Sequence, residues 1–150
     1  MVTNALVNDF LAQKNLVLVG LSRSEHKYGN AIYKTLTENG FKVFPIHKSE
    51  KTIRNIQCYP NLTSIPDRVE GIVICVPPEE TLNVVREAAS AGINRVWMQQ
   101  GAESDSAIQF CKQNNISAVY GHCILMFAEP VSSLHRFHRW IWKLIGKIPK

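Results

Sequence analysis

Short, largely apolar runs alternate with amphipathic stretches along most of this chain. Leu16-Val17-Leu18-Val19 is uninterrupted by polar residues and ends at Gly20. Gly71 to Val76 repeats the theme, and Phe41 to Ile46, Ile93 to Met98 and Ser117 to Tyr120 are runs of the same kind with one or two polar residues. Runs of this length without polar alternation suit strands covered on both faces. Between them, helical spacing predicts a lead-in helix over 6–14 and further helices over about 30–39, 79–91 and 104–114. Gly40 and Gly92 stand where two of those helices should stop, and Glu79 and Glu80 favour the positive end of the third helix's dipole. Gln57-Cys58-Tyr59 reads as a short edge strand closed by Pro60. Strands alternating with helices of this size predict a doubly wound, mostly parallel α/β sheet of about five to six strands, Rossmann-like in plan. A last amphipathic stretch over about 127–148 predicts a C-terminal helix with Leu134, Phe137, Ile141, Leu144 and Ile148 on one stripe.

Length and composition fit this plan. The 150 residues suit one domain, with its core over about 13–125, and the hydrophobic share is 45%. No apolar run approaches the roughly 18 residues that read as a membrane span. The first ten residues lack the basic start and apolar centre of a secretory signal. Cys58, Cys75, Cys111 and Cys123 lie far apart with no C-x-x-C pair, so spacing supports neither a zinc site nor a disulfide framework. A reducing cytoplasm is the expected setting.

Charge adds a localised feature. The net charge is +5, yet residues 1–130 hold 12 basic and 12 acidic side chains. The excess sits on Arg136, Arg139, Lys143, Lys147 and Lys150. A body so balanced does not predict nucleic-acid binding, which spreads cations along a phosphate track. The apolar stripe of the C-terminal helix can dock on the domain or on a second copy as a homodimer. Attachment to a membrane surface is the next alternative.

Candidate chemistry follows from the sheet. In doubly wound folds the ligand lies beyond the carboxyl ends of the strands, where strand order reverses. The first such loop, Gly20-Leu21-Ser22-Arg23, continues to Lys27. Gly20 permits a tight turn, amides at the next helix start can receive an anion, Ser22 adds a hydroxyl, and Arg23 and Lys27 add charge. Ser22 could equally serve as a helix cap and the two cations as solvated surface. The dinucleotide fingerprint would place glycine where Ser22 and Glu25 stand. The second loop, after Ile46, holds His47 and Lys48 where a nicotinamide-binding domain carries a carboxylate for the ribose hydroxyls. A cation there suits a phosphorylated ribose, as in coenzyme A or NADP, although a surface lysine in a turn reads the same way. Val76-Pro77-Pro78 offers a flat apolar wall for an adenine, or simply a helix start. Gln100 and Gly101 offer an amide and an approachable backbone, or a plain turn.

The set Val19-Gly20-Leu21-Ser22, Lys27-x-Gly29, Gly40 to Ile46, Cys58-Tyr59, Val76-Pro77, Trp97-Met98-Gln99-x-Gly101 and Cys123 resembles the small stand-alone CoA-binding domain proteins. These in turn resemble the CoA-binding Rossmann domain of the succinyl-CoA synthetase α subunit. The resemblance covers about residues 13–125. It implies that Gly20, Ser22, Arg23, Lys27, Pro77 and Pro78 meet the adenine and phosphates of coenzyme A or an acyl-CoA. The chain departs from the pattern at His47-Lys48, often Asn-Pro there, and at Gly121-His122, usually Asp-Arg or similar. The ligase's phosphorylated histidine lies in domains that 150 residues cannot include, so ligase activity is not implied.

Proton-transfer chemistry has little support. His122 and Cys123 are neighbours in an extended segment, where consecutive side chains point to opposite faces. No Ser-His-Asp pattern, Walker loop or carboxylate pair stands out, and no residue is nominated as catalytic. The leading expectation is a module that binds coenzyme A or a short acyl-CoA without catalysis of its own. The alternatives are an enzyme, or enzyme subunit, using NADP or another nucleotide, and a regulatory protein acting through its C-terminal helix.

Overall fold

Leu16, Val17 and Leu18 are all fully buried, with alternate side chains entering different cores, so the first strand is sandwiched as its apolar run requires. The computed structural model describes residues 1–128; the helix expected over about 127–148 falls outside them, apart from its first two residues. The described chain forms α1 (Asn4–Leu11), β1 (Asn15–Val19), α2 (Tyr28–Glu38), β2 (Lys42–Ile46), β3 (Thr52–Ile53), β4 (Ile56–Gln57), β5 (Gly71–Ile74), α3 (Pro78–Ser90), β6 (Arg95–Gln99), α4 (Asp105–Gln113) and β7 (Ser117–His122). Two single 3₁₀ turns, Leu62–Ser64 and Ile124–Met126, complete it.

Five strands make one parallel sheet in the order β2-β1-β5-β6-β7. The chain steps outward from β1 to β2, then returns across β1 to β5 and continues the other way. The reversal therefore lies between β1 and β5. On one face α1 and α2 bury Val7, Phe10, Ile32 and Leu36 against Leu16, Leu18, Val73 and Trp97. On the other, α3 and α4 bury Val85, Ala88, Ala107 and Cys111 against Val17, Ile72, Ile74 and Met98. This is the doubly wound α/β plan that the hydrophobic pattern predicts.

Element edges differ from the sequence reading for local reasons. The lead-in helix starts earlier because the Thr3 side chain accepts from the Leu6 amide, and it ends at Leu11, which leaves residues 13 and 14 as the link to β1. The expected edge strand over 57–59 is split. Thr52–Ile53 and Ile56–Gln57 close a small antiparallel hairpin whose turn residues, Arg54 and Asn55, both have positive φ, as a type I′ turn demands. Tyr59 then pairs alongside Ile46, its amide donating to the Pro45 carbonyl at 2.8 Å. β7 runs on to His122, past a register shift opposite Trp97 and Gln99.

Candidate functional site

The β1–α2 connection starts from two glycines. Gly20 has φ of +132°, and a Cβ there would lie 2.2 Å from the Cys75 carbonyl oxygen. Gly29, in the first turn of α2, presses on Gly20 itself: its Cβ would lie 2.0 Å from the Gly20 carbonyl oxygen. The close helix–strand packing that the third glycine of a dinucleotide fingerprint provides is thus supplied by a glycine nine positions on.

Between these glycines the loop is held by Asn30. The Ser22 amide donates to Asn30 Oδ1 at 2.9 Å, and Asn30 Nδ2 donates to the carbonyls of Ser22 (2.9 Å) and Ser24 (2.7 Å). The Ser22 amide is therefore engaged within the protein and is not open to an anion. Ser22 Oγ accepts from the Ser24 amide at 3.2 Å, which leaves its hydroxyl hydrogen to offer. Arg23 forms an ion pair with Glu50, and that hydrogen bond holds the Glu50 carboxyl below the usual carboxylate range. Arg54 pairs with Glu25 at 2.9 Å. The two bridges tie the β1–α2 loop to the segment after β2. Lys27 stands exposed at the cap of α2 with no capping bond from its side chain.

A cleft of about 370 Å³ opens at the β1/β5 reversal, over the ends of β1 and β2 and under α3. Gly20, Leu21, Ile46, Lys48 and Val76 line it, five of the residues singled out from the sequence. Val19, Leu62, Ile72 and Val84 add apolar lining. Lys48 and His47 stand at the β2 end, whereas Glu80, Asn83 and Glu87 line the cleft from α3. That wall was missed in the sequence; its only sign was polar residues at helical spacing 80, 83 and 87 beside Val84. Ser22, Arg23 and Lys27 belong to the neighbouring loop and do not line the cleft. Pro77 and Pro78 cap and begin α3.

Gln100 and Gly101 are not brought to this cleft. They follow β6, which the strand order puts beyond β5. The Gly101 amide is taken by Glu103 Oε2 at 2.7 Å and the Gln100 amide by the His122 carbonyl at 3.2 Å. Nearby, buried Gln99 accepts from the Ile124 amide at 3.1 Å and donates to Cys123 Sγ at 2.9 Å. Burial pushes the Cys75 thiol up and the Cys111 thiol to about 11, so both sulfurs are poor nucleophiles. Burial also lowers the His122 pKa against a smaller opposing pull from Glu103. Among the described residues no cluster of His, Cys, Asp or Glu could hold a metal, and no helix is long and apolar enough to cross a membrane.

A family model described as CoA binding domain matches residues 14–129. The chain belongs to this family. Among relatives, the family member is 34% identical over 89 residues to an ADP-forming acetate–CoA ligase II of Archaeoglobus fulgidus, covering 58% of the chain and 13% of the ligase. It is 31% identical over 80 residues to an ADP-forming acetate–CoA ligase of Methanocaldococcus jannaschii, covering 53% of the chain and 11% of that protein. The chain thus matches only a small part of either ligase's length. Among solved structures, a conserved hypothetical protein from Pyrococcus furiosus superposes with a TM-score of 0.69 at 37% identity, over 74% of this chain and 96% of that one. A hypothetical protein from Pyrococcus horikoshii gives a TM-score of 0.75 at 27% identity, over 82% and 87% of the two chains.

Proposed function

We propose that this CoA-binding domain protein holds coenzyme A or a short acyl-CoA in the cleft at the β1/β5 reversal and does no chemistry of its own. The observation that carries the reading is the cleft's make-up. An apolar lining from Ile46, Val76 and Val84 meets a glycine turn on one side and a lysine on another. In this reading the adenine lies on the apolar lining, and the diphosphate sits by Gly20 and Leu21. The Ser22 hydroxyl, Arg23 and Lys27 face the diphosphate from the loop, Pro77 and Pro78 border the adenine, and Lys48 meets the ribose phosphate. Gln100 and Gly101 have no part in it. Binding without catalysis is supported at Cys123, whose sulfur is met by the Gln99 amide, a donor that cannot take its proton.

NADP is the second reading, because Lys48 suits its ribose phosphate as well. Isothermal titration with CoA, acetyl-CoA, NAD, NADP and ATP separates the two. CoA or acetyl-CoA is expected to bind best; preference for NADP, or no heat with any ligand, overturns the proposal. Lys48→Glu should weaken CoA binding at least about tenfold by replacing a charge-assisted contact with repulsion. Ser22→Asp should weaken it too, by setting a carboxylate against the diphosphate. CoA affinity unchanged in both variants would place the ligand elsewhere.

A further inference from the structure

A neutral imidazole carries hydrogen on one ring nitrogen only, and its partners decide which. At the end of β2 the backbone makes that choice for His47. The Glu50 amide donates to His47 Nδ1 at 3.1 Å, and the Ser49 amide points to the same nitrogen at 3.4 Å. A nitrogen that accepts from amides holds no proton, so the hydrogen is on Nε2. His47 is half-buried, lines the cleft beside Lys48, and has no acceptor for Nε2 among the described residues. One edge of the ring thus folds the 47–50 loop while the other remains a hydrogen-bond donor of fixed position. The carboxylate nearest in sequence, that of Glu50, is occupied by Arg23. His47 and Lys48 therefore present two donors at one end of the cleft, whereas the carboxylates of Glu80 and Glu87 lie on α3.

We infer that His47 is a specificity-determining residue: its Nε2–H, together with the Lys48 ammonium, receives the phosphate monoester on the ribose of the ligand. The inference rests on the reading of this cleft as the coenzyme A site. It adds that the protein distinguishes coenzyme A from its 3′-dephospho form through a neutral histidine, not through cationic charge alone.

Two substitutions divide the ring's functions. Asparagine places its oxygen near the position of Nδ1 and can keep the loop cap, whereas glutamine places its amide nitrogen near Nε2 and can keep the donor. Titrations of the full chain with CoA and 3′-dephospho-CoA give the preference of each variant. The wild type should prefer CoA by at least about tenfold. His47→Asn should lose most of that preference while binding dephospho-CoA like the wild type, and His47→Gln should keep most of it. Equal losses in the two variants, or none in His47→Asn, overturn the inference. Long-range ¹H–¹⁵N spectra of the unliganded wild type should show the Nε2–H tautomer near neutral pH; the Nδ1–H form would overturn it without any variant. A wild type that binds CoA and dephospho-CoA equally sinks the role of His47 but leaves the site; one that binds neither sinks both.

Discussion

Gly29 and Gly40 show how differently one residue type is constrained. A methyl group at Gly29 would meet the backbone of Gly20, at 2.0 Å from its oxygen and 2.6 Å from its carbonyl carbon. Neither atom belongs to a flexible side chain, so β1 and α2 would have to separate. Gly29→Ala should therefore cost about 3 kcal/mol in urea unfolding, the upper range of overpacking. It should also lower ligand affinity, because the displaced turn holds Gly20 and Leu21. Gly40 has φ of +87° with open space around it. Gly40→Ala meets only the strain of a left-handed backbone, about 1 kcal/mol, with binding unaffected. Equal costs for the two would mean that packing at Gly29 is looser than this contact requires.

Helix α3 is positioned as a unit because it walls the cleft. Thr81 is fully buried, and its hydroxyl donates to the Ala102 carbonyl at 2.5 Å, tying the first turn of α3 to the loop after β6. Thr81→Val keeps the shape but leaves that carbonyl without its donor, which should cost about 1–3 kcal/mol. Thr81→Ser, which retains the hydroxyl, should recover most of the loss in the same urea titration. A valine variant as stable as the wild type would show that the bond does not anchor the helix. The long elements were legible in the sequence because burial on both faces removes polar residues from β1 and β5, and because each intervening helix carries its own stop or cap. The 52–57 hairpin was not legible. Its strands are two residues each, too short for any alternation, and its turn uses Arg54-Asn55 instead of a glycine pair. His47, Asn30 and the α3 wall escaped for another reason. Their roles depend on which elements become neighbours, and loop composition is silent on that.

At the scale of the molecule, strand order selects among the loops. All five parallel strands end on the same edge, and residue type alone made Gln100-Gly101 as eligible as Ile46-His47-Lys48. The order β2-β1-β5-β6-β7 sets the ends of β1 and β2 on the cleft and leaves the end of β6 outside it. A ligand seated there touches β1, β2 and α3 together, elements from both sides of the strand-order reversal, so it must stabilise the fold as a whole. Mass action gives the size: CoA at 100 times its dissociation constant adds about 2.7 kcal/mol. For a chain of this length that raises Tm by about 5–10 °C. NAD at the same concentration should raise Tm by about half as much or less, since it lacks the ribose phosphate that the proposal assigns to His47 and Lys48. Lys48→Glu, bound tenfold more weakly, should lose about half of the CoA-induced rise at that concentration. Scanning calorimetry on the wild type and this variant reads all three values. An equal rise with NAD would mean that the β2 end of the cleft contributes nothing to recognition.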